Sequence, residues 1–200
     1  MVRVRVAFLA LASAIASTAF AQDTAPPAAP ATPPSAAPAP TPAPPPTGDA
    51  AQVINLLEHF CVPTIAGDSA EKLARPLGLH RNRDGDFVMS LGGPKRITVT
   101  APNSANPTVC SMTVLYDVGD DTPIYDALNN WALAHANPYV AERKHERSEV
   151  GDLTHITSTW SAVEKDGAEG LVFIEDKTAD GKPLSSRADQ ATILFSIRPS

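Results

Sequence analysis

Five histidines, two cysteines and a scatter of hydroxyls and carboxylates are the residues of this 200-residue chain that could do chemistry. The histidines stand at 59, 80, 135, 145 and 155, with no pair at the three-residue interval of a helical metal site. His145-Glu146-Arg147-Ser148-Glu149 starts like a zinc-protease helix but ends in glutamate where the second ligand belongs. Two Asp-Gly segments, Asn82-Arg83-Asp84-Gly85 and Thr178-Ala179-Asp180-Gly181, space polar groups as a calcium loop does. Counted from each glycine, the position needing a bidentate glutamate holds Leu91 in one and Arg187 in the other. Both segments are therefore expected to be turns, and no metal is expected.

Nucleophile patterns fare no better. Ser69-Ala70-Glu71-Lys72 has the Ser-x-x-Lys spacing of penicillin-binding proteins and β-lactamases, but their Lys-Thr-Gly and Ser-x-Asn elements are missing. There is no Gly-x-Ser-x-Gly elbow and no glycine-rich phosphate loop, so no cofactor is expected. Cys61 and Cys110 lack the Cys-x-x-Cys spacing of a redox pair. In an exported chain two lone cysteines pair, which predicts a Cys61–Cys110 disulfide.

One constellation points to binding. If Gly151-Asp152 closes a two-residue hairpin, Arg147 faces Ile156, His145 faces Ser158 and Arg143 faces Trp160. The same register sets Ser148 opposite His155 and Glu146 opposite Thr157. A guanidinium over an indole is a favourable pair that would clothe an exposed aromatic ring. Arg143, His145, Arg147 and Trp160 are thus candidate binding residues. The competing reading is a charged ribbon that protects a sheet edge.

The elements that must position these groups follow from periodicity. Val53, Leu56, Leu57, Phe60 and Cys61 have helical spacing after Asp49-Ala50-Ala51-Gln52, which reads as a capping box, and Pro63 is expected to end the helix. A second capping box, Asp68-Ser69-Ala70-Glu71, predicts a short helix. Thr122-Pro123 predicts the start of another, with Ile124, Leu128, Trp131 and His135 on one stripe and Asn137-Pro138 as its stop. Period-two alternation marks strands at Phe87–Leu91, Ile97–Val99 and Cys110–Tyr116. Further strands are expected at 140–149, 153–163, 171–175 and 191–197, with Asp166-Gly167 as a turn. Too few helices alternate with strands for a parallel sheet. The expected class is α+β: an antiparallel sheet of about six or seven strands with two or three helices packed on one face.

Organisation along the chain is read from composition. Arg3 and Arg5, an uncharged run from Val6, and Ala19-Phe20-Ala21 make residues 1–21 a secretory signal peptide, with a retained anchor as the alternative. Residues 22–48 hold 11 of the 20 prolines and read as an Ala/Pro-rich disordered linker, reaching on the order of 80 Å if extended. Residues 49–200 make one domain. Removing Arg3 and Arg5 takes the net charge from −6 to −8, which disfavours nucleic acid and anionic lipid as partners. The expectation is a periplasmic or secreted, non-enzymatic binding module of the bacterial envelope, with no transmembrane segment after cleavage. Its partner would be another envelope protein or a small ligand. The alternative is a small hydrolase whose serine and histidine meet only in the fold.

The exported protein is expected to begin at Gln22. N-terminal sequencing or intact mass of envelope material checks this, and a full-length membrane-held species counts against it.

Overall fold

The computed structural model describes residues 44–135, 139–164 and 167–199, all within the unit Pro42–Ser200. The expected signal peptide, the linker up to residue 43, and the turn and stop residues Asn137, Pro138 and Asp166 lie outside the described residues.

The first helix, α1 (Gly48–Leu56), continues through a π-helical turn (Leu57–Cys61) into α2 (Val62–Ile65), and α3 is Ala70–Ala74. Pro63 does not end the helix as expected. It lacks an N–H, and the wider turn before it, where Val62 N–H reaches back to Leu57 O, lets the chain wind past. Neither capping box forms. The caps are Thr47 and Ser69, without side-chain bonds. Asp49 instead meets Lys95 Nζ at 3.0 Å, and Glu71 pairs with Arg81. These acids find tertiary cations, which local spacing does not reveal.

Strands follow as β1 (His80–Arg81), β2 (Phe87–Gly92), β3 (Lys95–Thr100) and β4 (Val109–Tyr116). The long helix α4 (Asp121–Ala134) crosses to β5 (Val140–Val150), β6 (Leu153–Glu164), β7 (Gly167–Thr178) and β8 (Asp189–Pro199). α4 starts at Asp121 behind Asp120, two residues earlier than Thr122 as cap and Pro123 as first helical residue imply. All pairings are antiparallel, in the order β1-β2-β3-β4-β8-β7-β6-β5. The sheet has eight strands rather than six or seven. The extra one is the two-residue β1, too short to show a period.

Alternation decides which face is covered. Along β4, Cys110, Met112, Val114 and Tyr116 are fully buried, while Ser111, Thr113 and Leu115 between them are half-exposed. Register carries this across the sheet, since Val99, Met112, Ile193, Phe173 and Ser158 pair in one line. Helix residues Val53, Leu57, Phe60, Ile124, Leu128 and Trp131 share the core with this inner face. Each fully buried side chain of this size contributes roughly 1.5–3 kcal/mol. Pro44, Pro45 and Pro46, the end of the proline-rich stretch, line a cavity of about 430 Å³ with Pro123, Asp126 and Asn130 of α4.

Cys61 and Cys110 are bonded, with Cα atoms 5.4 Å apart across a separation of 49 residues. The bridge ties the π-helical turn to β4. Reduction is expected to cost up to about 4 kcal/mol of stability, measured by denaturant titration with and without reductant. Thiol titration of denatured, unreduced protein should find no free sulfhydryl.

Candidate functional site

The β5–β6 hairpin turns at Gly151, whose φ of 62° suits glycine. The expected register holds from Val150↔Leu153 through Ser148↔His155 and Arg147↔Ile156 to Glu146↔Thr157. There it breaks. A bulge around Lys144 and His145, with His145 at φ 50°, sets Arg143 opposite Thr159 and Ala141 opposite Trp160.

The expected Arg143–Trp160 stack therefore does not form. Arg143 pairs with Glu146 at 3.2 Å. Trp160 is buried rather than exposed, and its Nε1 donates to Asn129 Oδ1 at 3.1 Å. Tyr125 of α4 lies over Trp160 at 5.6 Å, and the His145 ring lies on Tyr125 at 4.4 Å. The His145 N–H donates to Ser158 Oγ at 3.0 Å, so the bulge has a fixed backbone bond. Arg147 Nη2 donates to Thr154 Oγ1 at 3.3 Å and to the Ala179 carbonyl at 3.2 Å. Arg143, His145 and Arg147 lie on one exposed strand, with Trp160 in the core beneath them.

Beside the bulge lies a group that residue patterns had not singled out. Glu175, Lys177 and Asp189 are all buried on the helix-covered face of β7 and β8. Lys177 Nζ donates to Asp189 Oδ2 at 2.7 Å and stands 3.9 Å from Glu175 Oε2. His145 Nδ1 is 4.0 Å from Glu175 Oε1. Burial, with Asp121 and Asp189 adding to it against the opposing pull of Lys177, pushes the Glu175 carboxyl up to about 7. Tyr116 is pushed well above the usual phenol range, first by burial and then by Glu175 and Asp189. Among the described residues, Tyr116 Oη and Asp189 Oδ1 are buried without a hydrogen-bond partner. The sequence did carry a signal. Glu175 and Lys177 continue the inward parity of Leu171 and Phe173, as Asp189 does that of Ala191, Ile193 and Phe195.

The opposite face holds a second arrangement. Ser148, His155, Asp176 and Gln190 pair in one row across β5, β6, β7 and β8. His155 Nδ1 is 3.4 Å from Asp176 Oδ1, and Gln190 Nε2 holds Asp176 Oδ2 at 2.9 Å. The residue types and order are those of an activated serine. Strand N–H groups lie in the plane of the sheet, however, and do not converge above Ser148 as oxyanion donors must.

The remaining candidates disperse. His59 sits at Asn55 O on its own helix, and His135 stacks on Trp131 at 4.4 Å. The Asn82 and Thr178 segments are turns, closed by Asn82 Oδ1 accepting from two backbone N–H groups and by Thr178 Oγ1. Among the described residues, no group of three or more His, Cys, Asp or Glu is disposed to hold a metal ion. No helix among them is long and apolar enough to cross a membrane. No family model matches the chain, and neither a curated protein nor a solved structure matches it.

Removing one member of the buried pair should strand the other charge. Lys177→Met is expected to cost about 3–5 kcal/mol in denaturant unfolding. The double variant Lys177→Met/Asp189→Leu should recover most of that loss, a coupling read directly from the mutant cycle.

Proposed function

We propose that the chain is an exported, non-enzymatic binding module of the bacterial envelope, and that it engages another envelope protein through the open face of its sheet and the adjoining strand β5. One observation carries this reading. The helices and the inner face form one core, and the opposite face is left half-exposed with Val88, Leu115, Val172, Ile174 and Leu194 among Thr98, Thr113 and Thr192. Val172, Ile174 and Leu194 adjoin in this register, with Val88 and Leu115 set apart among the threonines. Half-exposed aliphatics rimmed by hydroxyls and charges are the composition of a protein-binding surface. On β5, Arg143 adjoins this face opposite Thr159, while His145 and Arg147 lie towards the helix-covered side. The disulfide is compatible with export.

The serine-histidine-aspartate row supports hydrolysis as a second reading, with Ser148 as nucleophile and His155 as base. The two readings separate cleanly. Under the binding reading, photo-crosslinkers at Thr192 and Leu194 should trap a defined protein in intact cells, whereas one at Leu133 on α4 should not. Leu194→Glu should abolish capture and move the melting temperature by less than about 5 °C. Absence of adducts from every outer-face position would sink it. A serine-directed fluorophosphonate that labels the wild type and spares Ser148→Ala would establish the hydrolase instead.

A further inference from the structure

Glu175 sits where three parts of the fold meet: the sheet, the first turns of α4, and the β5 bulge. Its surroundings are unbalanced. Lys177 is shared between Glu175 at 3.9 Å and Asp189 at 2.7 Å, and it lies nearer the latter. From the other elements, Glu175 is faced by Tyr116 of β4, Asp121 of α4 and His145 of β5, whose ring lies on Tyr125 of α4. Arg147 shares its row but is turned to Thr154 and the Ala179 carbonyl. β6 contributes Ile156 and Ser158 on this face, neither of them titratable.

We propose that Glu175 works as a proton-operated latch, holding the β5 bulge and the Tyr125 turn of α4 against the sheet when protonated and releasing them when ionised. Ionisation puts a second buried negative charge beside Asp189 and Asp121 with one lysine between them. Water must then reach the carboxylate. The least costly route is through the bulge, because β5 is exposed along its whole length and the covering rings of His145 and Tyr125 belong to the periphery. The core strands β4 and β8 stay closed. Opening frees Arg143, His145 and Arg147 together, so pH sets the presentation of that strand. This inference does not depend on the binding reading above.

The elevated Glu175 carboxyl, about 7 against an ordinary 4.5, fixes the direction. A carboxyl raised in the closed state favours that state fully below its open-state value. The advantage is lost as pH climbs from 4.5 to about 7 and is gone above. Between pH 5.5 and 8.5 the opening equilibrium of β5 should therefore rise on the order of 10-fold, and up to about 30-fold if opening restores the ordinary carboxyl.

Hydrogen exchange of the full chain at these two pH values, corrected for intrinsic rates, reads this directly. Peptides from β5 and the start of α4 should lose protection at pH 8.5, and those from β4 should not. Glu175→Gln should erase the difference, while His145→Gln should keep it. Equal protection at both pH values, a response that survives Glu175→Gln, or one that vanishes in His145→Gln would overturn the latch. Should Glu175→Gln fail to fold, Trp160 emission in a Trp131→Phe background decides. A transition centred near pH 7 supports the latch, and a flat profile from 5.5 to 8.5 refutes it.

Discussion

The seam between β4 and β8 is the constraint on which the molecule depends. β1 to β4 form one meander and β5 to β8 another, joined through α4, and these two strands alone bind the halves into one sheet. Eight residue pairs run along it, from Val109↔Ser196 to Tyr116↔Asp189. Contacts so distant in sequence carry the largest closure entropy, so they need strong local support. Cys110, next to one end, is tied to Cys61 and pairs with Phe195. At the other end stand Tyr116 and Asp189, the latter pinned by Lys177. A covalent staple guards one end and a buried charge pair the other.

These ends differ in what they tolerate. The covalent end is apolar, with Met112, Ile193 and Phe60 completely buried, and is indifferent to pH. The charged end assembles two carboxylates, Glu175 and Asp189, around the single ammonium of Lys177. Its stability is conditional, because a low-dielectric environment penalises each unpaired charge. The bulge at His145 abuts this conditional end, so the deformable part of β5 lies over the electrostatically poised part of the core.

Much of this architecture was legible in the chain. Cys110, Met112, Val114 and Tyr116 alternate without exception, and so do Ala191, Ile193 and Phe195, because one covered face imposes period two. The Gly151 turn fixed the hairpin register as far as Glu146↔Thr157. Beyond that the reading failed, since nothing in Lys144-His145 marks a bulge, and a slip there moves every later partner. The capping motifs misled because Asp49 and Glu71 are drawn to Lys95 and Arg81, neighbours only in space. Glu175 shares the parity of Leu171 and Phe173, but Lys177 and Asp189 lie beyond the strands expected at 171–175 and 191–197. The pairing of all three required the strand order, which periodicity does not contain.

Both halves of the covalent staple precede α4. Cys61 lies in the helical segment that opens the domain and Cys110 in the last strand of the first meander. A chain that emerges N-terminus first therefore presents both sulfurs before any residue of the second meander has appeared. The bond needs no part of β5 to β8 to bring its ends together. Oxidation can thus convert the leading half into a cross-linked template, with β4 already positioned, onto which β8 docks last. Chain order thereby separates a covalent step from a pairing step, and the late, entropically demanding seam closes against a strand that is no longer free to wander.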